Sequence, residues 1–195
     1  MSSDTPTQGA ELDQDEGRTR TVLEWIVTIA IAIGIAGLIH VFVGEPFIVP
    51  TGSMLNTIQL DDRIWGEKVS YRFREPQQGE VIMFDNPNGE GTILVKRVIA
   101  TQGQTVDLVD GRVVVDGEEL DEPYTENRPS LPLDQTLPGK DPVTYPFKVP
   151  EGCVWVMGDN RTNSLDSRYF GAVPTKTVVA RALFTFWPFS DLRWF

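Results

Sequence analysis

A single histidine, His40, and a single cysteine, Cys153, are the only residues of their kinds in this chain, and that scarcity sets the chemistry open to it. His40 falls inside a long apolar run, so a Ser-His-Asp or Cys-His arrangement elsewhere has no histidine to use. Zinc sites of the usual His and Cys types are removed by the same shortage. Asp61 and Asp62 are adjacent and on a strand would point to opposite faces, which disfavours a paired-carboxylate site built from them alone. What remains is a serine activated by a lysine. In Pro50-Thr51-Gly52-Ser53-Met54 a glycine before the serine permits a sharp bend and close approach of a substrate backbone, although on these five residues alone an ordinary turn is the favoured reading. In Ile93-Leu94-Val95-Lys96-Arg97-Val98-Ile99 a strand period of two puts Leu94, Lys96 and Val98 on one face and Arg97 on the other. A lysine must be neutral to take a proton from serine. That requires lowering its pKa by roughly 3 units from about 10.4, or about 4 kcal/mol, which apolar burial can supply. The commoner fate of a lone lysine is a packed stem with its ammonium in water.

These residues need elements to hold them. Past residue 43 the pattern becomes short apolar runs, clearest at 81–84, 93–99, 106–109 and 113–115, which are strand signals. Asp110-Gly111 predicts a tight hairpin with positive φ, and Asp116-Gly117 a second turn. From Asp121 to Pro150 the composition shifts to Pro, Asp, Glu and Asn, which reads as a loop-rich excursion and not as core. One cysteine rules out an internal disulfide framework. Before these strands, Trp25 to Val43 is apolar or small apart from Thr28 and His40, about 28 Å as a helix and close to the hydrocarbon thickness. A cleaved signal peptide is usually shorter and ends in small residues, whereas His40, Val41 and Phe42 close this run. Arg18 and Arg20 precede it and the next basic residue is Arg63, so the positive-inside rule puts the N-terminus in the cytoplasm. Asp4, Glu11, Asp13, Asp15 and Glu16 mark a solvated, disordered tail. The formal net charge of -11 argues against a nucleic-acid partner. The expected architecture is mainly β. It has an acidic cytoplasmic tail over 1–20, a single transmembrane helix over 21–43, and an antiparallel β catalytic domain over 44–195 with a loop-rich β insert at about 103–150.

Taken together, the stretches resemble the bacterial type I signal peptidases. The family pattern is an anchor, a Ser-Gly-Ser-Met type box, a Gly-Asp-Ile/Val type box, a strand ending in Val-Lys-Arg-Val-Ile, and a Gly-Asp-Asn-Arg box. This chain has, in that order, Thr51-Gly52-Ser53-Met54, Asp61-Asp62-Arg63-Ile64 and Gln78-Gly79-Glu80-Val81 leading into Val95-Lys96-Arg97-Val98-Ile99. Gly158-Asp159-Asn160-Arg161 and Asn163-Ser164-Leu165-Asp166-Ser167-Arg168 complete the set. Four boxes in order behind an N-in anchor make coincidence a poor explanation.

The resemblance implies Ser53 as nucleophile and Lys96 as general base, with Ser164 hydrogen-bonding the lysine amine. It implies Thr51 as a hydroxyl donor to the oxyanion beside the Ser53 N–H, threonine keeping the hydroxyl of the serine common there. Asp166 and Arg168 would form a supporting ion pair, and Asp159, Arg161 and Arg97 further support. Val49, Met54, Ile58, Leu94 and Val95 would shape a small-residue pocket. Asn56 stands where many relatives have proline. The implied activity is removal of signal peptides from exported precursors at the bacterial cell membrane, after A-x-A-like sites, with no cofactor or metal. The implied partners are those precursors, the lipid bilayer and the secretion machinery. Ser53 follows the anchor by about ten residues, at most about 35 Å of extended chain, which ties it near the outer membrane face. Phe184, Phe186, Trp187, Phe189, Trp194 and Phe195 crowd the C-terminus, and an aromatic surface resting at the interface is expected from some of them. Two other readings stand beside this one: a dedicated or self-processing Ser/Lys peptidase, and an inactive anchored β domain that binds partners.

Overall fold

The computed structural model describes residues 8–89, 91–133 and 142–195, with side chains throughout except at 8–20 and 41. The chain divides into two units, Met1–Phe42 and Val43–Phe195. The first holds one helix, α1 (Gln8–Phe42). Within it Thr21–His40 is, among the described residues, the one segment long and apolar enough to cross a membrane. The helix begins inside the stretch expected as a disordered tail. Residues 1–7 lie outside the described residues, but from Gln8 onward the backbone is helical. The local reason is that Ala10, Glu11, Leu12, Gln14, Glu16 and Arg18 are strong helix formers with no proline among them.

The second unit is almost wholly antiparallel β. Its strands are β1 (Gly44–Ile48), β2 (Arg63–Glu67), β3 (Val81–Asp85), β4 (Ile93–Thr101), β5 (Thr105–Val109), β6 (Arg112–Val115), β7 (Glu118–Glu119), β8 (Phe147–Lys148), β9 (Cys153–Met157), β10 (Val173–Pro174), β11 (Val178–Trp187) and β12 (Arg193–Trp194), with one short helix, α2 (Ser167–Phe170). The larger sheet runs β1-β2-β11-β3-β4-β9-β10, with β12 also on β11. Strand β11 bridges its middle, pairing with β3 through Val178–Arg181 and with β2 through Arg181–Trp187. Register shifts at three points along it add local bend and twist, which curls the sheet.

Strand β3 shows why the core forms here. Val81 and Met83 pack with Val49, Met54, Ile58, Ile64, Ala180 and Ala182 on one face. Ile82 and Phe84 pack with Val98, Val154, Val156, Phe170 and Val173 on the other. An unbroken apolar run is what a strand covered on both faces requires. The β4 strand lies beside it with Ile82 opposite Lys96, so the lysine is laid against a strand buried on both faces.

The smaller sheet, β7-β6-β5-β8, is the insert. Its hairpins are those expected: Asp110 and Gly111 have φ of 50° and 80°, Asp116 and Gly117 of 53° and 88°, the positive values that two-residue hairpin loops need. Val106, Val113, Val115 and Val149 meet Ile99, Ala100, Trp155 and Met157 in one cluster, which fastens the insert to β4 and β9. The reading of residues 121–150 as an excursion apart from the core is corrected over 122–130. Thr125 and Ser130 are buried there, and Glu122 and Ser130 bond to Arg161. Residues 134–141 lie outside the described residues. At the C-terminus Phe195 packs against the first core cluster, whereas Phe189 and Trp194 are 76% and 73% exposed.

Candidate active site

After β1 the chain runs extended through Thr51 (φ -125°, ψ 150°) into a tight turn at Gly52–Met54. The ends of this loop are pinned by Val49 N–H to Asp62 O (3.0 Å) and Asp61 N–H to Val49 O (2.9 Å). Its middle is anchored by Met54, which is fully buried and whose carbonyl accepts from Ile58 N–H at 2.8 Å. Asn160 grips the turn from the other side. Its side-chain Nδ2 donates to Gly52 O (2.8 Å) and its backbone N–H to Ser53 O (3.1 Å). That approach explains Gly158, because a Cβ there would collide with Ser53 O and Ser164 Oγ.

Lys96 reaches this turn from β4. Its Nζ lies 2.7 Å from Ser53 Oγ and donates to Val95 O at 2.8 Å. At 2.7 Å both protonation states make the serine contact: an ammonium donates to Oγ, and a free amine accepts from the Oγ–H. The lysine is only 2% exposed, and burial pushes its pKa down to about 8 against the opposing pull of Asp166 and Asp159. A cation in an apolar setting loses hydration that two carboxylates beyond hydrogen-bond reach do not replace. Thr51 Oγ1 lies 3.5 Å from Ser53 Oγ, on the same side of the turn.

Beneath the pair sit three buried ion pairs. Arg97 is bidentate on Asp159 (2.9 and 2.6 Å), and Thr57 Oγ1 donates to the same carboxylate. Arg168 is bidentate on Asp166 (2.9 and 3.0 Å), whose second oxygen also accepts from Gly158 N–H at 3.0 Å. Arg161 is bidentate on Glu122 (2.6 and 2.5 Å) and stacks with Arg97 about the Tyr124 ring, at 5.9 and 4.0 Å from its centroid. These pairs fix the Gly158–Arg168 loop against the turn and against β4. Among the described residues no three His, Cys, Asp or Glu side chains converge as a metal-ligand set.

A cleft of about 420 Å³ opens at Ser53 and Lys96, between the 48–53 segment and the 92–96 segment, with Asn86, Asn163 and Leu165 also on its walls. Along its β4 wall one strand edge is open. Strand β9 pairs with β4 only from Arg97 to Thr101. Val98 exchanges hydrogen bonds with Gly79 and Glu80 on the β3 side, so by alternation Leu94 and Lys96 face β3 while Ile93 and Val95 aim their amide groups into the cleft.

Most residues singled out in the sequence meet here, with two corrections. Ser164 Oγ is buried beside Gly158 but has no hydrogen-bond partner among the described residues, so the expected bond to the lysine amine is not formed and Val95 O accepts from that amine instead. Met54 and Ile58 do not line the cleft. Both are fully buried in the first core cluster, because each side chain is what holds the turn down. Val49, Leu94 and Val95 do line it. The sequence reading missed the clamp made by Asn160, although its box was noticed, and it missed Glu122, Tyr124 and Arg128, for which no local pattern exists.

The family model described as "Signal peptidase, peptidase S26" matches residues 22–187. A probable signal peptidase I-1 of Synechocystis is 40% identical over 180 residues, covering 89% of this chain and 85% of the relative. The signal peptidase I of Leptolyngbya laminosa is 36% identical over 179 residues, with 88% and 82% covered. Signal peptidase I T of Bacillus subtilis is 35% identical over 181 residues, with 90% and 91% covered.

Proposed function

The chain belongs to the signal peptidase family, peptidase S26, and from that premise we propose that it is a membrane-anchored serine endopeptidase that removes signal peptides with Ser53 as nucleophile and Lys96 as general base. The observation that carries this reading is the 2.7 Å approach of Lys96 Nζ to Ser53 Oγ at the end of a cleft with an open strand edge. An extended precursor segment adds to the Ile93–Lys96 edge by backbone pairing, and the apolar walls around Val49, Leu94 and Val95 leave shallow space that favours small side chains. The Lys96 amine takes the Ser53 hydroxyl proton as Oγ attacks the scissile carbonyl carbon. The oxyanion that forms accepts from Ser53 N–H and the Thr51 hydroxyl. The tetrahedral species collapses as the Lys96 ammonium returns its proton to the departing amine, leaving an ester on Ser53. Lys96 then deprotonates a water that hydrolyses the ester, and serine and lysine return to their starting forms.

Three further assignments belong to this reading. Thr21–His40 is the anchor, Arg18 and Arg20 keep the N-terminus in the cytoplasm, and the unit Val43–Phe195 works outside the cell membrane. Exposed Phe189 and Trp194 suit contact with the lipid interface. The reading is tested by incubating a precursor with an Ala-x-Ala site with the parent protein, Ser53→Ala and Lys96→Ala. Cleavage falls at least about 10³-fold in both variants, and a fully active Lys96→Ala protein sinks the mechanism. A panel of unrelated precursors cleaved broadly by the parent excludes a dedicated processor.

A further inference from the structure

Two residues beyond Met54, Asn56 has a left-handed backbone with φ of 82°. Its Oδ1 accepts from Arg128 Nη2 at 3.3 Å, and its carbonyl accepts from Arg193 Nη1 at 2.8 Å. The second nitrogen of the same insert arginine, Arg128 Nη1, donates to Asn160 Oδ1 at 3.1 Å. One guanidinium therefore spans the nucleophile turn, holding Asn56 on one side and Asn160 on the other.

We propose that Arg128 is a positioning residue that aims the Ser53 N–H at the oxyanion, acting through Asn160. It rests on the assignment of Ser53 as nucleophile made above. The argument runs through three groups. An asparagine amide has one accepting and one donating end. With Oδ1 taken by a permanent cation, the Asn160 amide cannot turn over, and Nδ2 is left facing Gly52 O. Gly52 C=O and Ser53 N–H belong to one planar peptide unit, so a bond that holds that carbonyl also sets the direction of that N–H. The Asn160 backbone N–H on Ser53 O fixes the next peptide, and the Asn56 arm stops the turn from rotating as a body. A lysine at position 128 keeps the charge but not the two-pronged reach. Glu126 Oε2 lies 3.7 Å from Arg128 Nη2 with its side chain exposed, so solvent screens that ion pair.

The test measures kcat, KM and thermal unfolding for Arg128→Ala, Arg128→Lys, Asn160→Ala and the Arg128→Ala/Asn160→Ala double variant on one model precursor. Arg128→Ala lowers kcat about tenfold, the scale of a lost charge-assisted contact and a slightly misaimed donor, with KM within about twofold. The double variant is no slower than Asn160→Ala alone, because both act on one amide. A kcat for Arg128→Ala within about twofold of the parent overturns the proposal, as do losses that multiply in the double variant. If Arg128→Ala does not fold, Arg128→Lys carries the same test: about a threefold or greater fall in kcat is expected, and a parent-like kcat overturns it. Cleavage by Ser53→Ala would remove the premise itself. An inactive Ser53→Ala beside a fully active Arg128→Ala leaves the premise standing and removes only Arg128.

Discussion

Lys96 and Arg97 are consecutive cations on one strand, both buried, at 2% and 8% exposure, and they are treated in opposite ways. Arg97 receives a bidentate carboxylate from Asp159, the carbonyl of Gly79 and the face of Tyr124. Among the described residues Lys96 receives only a hydroxyl and a carbonyl, with no carboxylate in hydrogen-bond reach. The strand puts them on opposite faces, so one side supplies a counter-charge and the other withholds it. A buried charge that is paired serves as a fixed support, and one left without a partner gives up its proton at a lower pH. Position in the fold, and not residue type alone, separates a structural cation from a reactive one.

The sharpest way to break this contrast is to strip Arg97 of its counter-charge. Asp159→Asn leaves the guanidinium buried without an anion, and loss of about 3–5 kcal/mol of stability is expected from thermal or urea unfolding. In the molecules that remain folded, the pH–rate profile shifts to lower pH, because Asp159 is one of the charges that favour the Lys96 ammonium.

The next test is pH on the unaltered protein. Burial holds Lys96 at about 8, and in the proposed mechanism the free amine is the base, so cleavage is expected to rise with pH and level off above about 8. Between about pH 6 and 8 the rate changes about fiftyfold, and a profile flat across that interval excludes Lys96 as the base. The stability of the folded protein follows the same group. Its folded pKa lies below the unfolded value of 10.5, so the unfolded chain binds more protons between about 8 and 10.5. The contribution of Lys96 to stability therefore increases as pH climbs through that window.

The smallest effect expected compares the two halves of β4. Val95→Pro removes an N–H that points into the cleft and leaves the β3 ladder intact, a position where a strand tolerates proline. KM for a peptide substrate rises about tenfold while the unfolding midpoint hardly moves. An unchanged KM means that the open edge takes no part in binding.

Much of this was legible in the sequence because it was periodic or local. Alternation along 93–99 separated Lys96 from Arg97, and Asp110-Gly111 and Asp116-Gly117 gave the insert its hairpins. The clamp on the nucleophile turn was not legible. Arg161 meets Glu122 across 39 positions and Asn160 meets Gly52 across 108, and no repeat or propensity records such meetings. The 122–130 segment looked like a loop because its work is ionic and its composition polar. Met54 and Ile58 were misassigned to the pocket because apolar character beside a candidate nucleophile does not say which way the side chain turns. Ser164 lies close to the turn, but its hydroxyl rotor is not set by sequence position.

The change of partner at Arg97 has one more consequence. A guest strand that pairs with Ile93–Lys96 runs out of open edge where β9 already occupies the ladder, and Ser53 stands at that limit. Under the proposed function the β4 edge would work as a ruler with a stop: it would measure how far an extended segment has advanced, and the bond to be cut would be chosen by distance from the stop as well as by side-chain size.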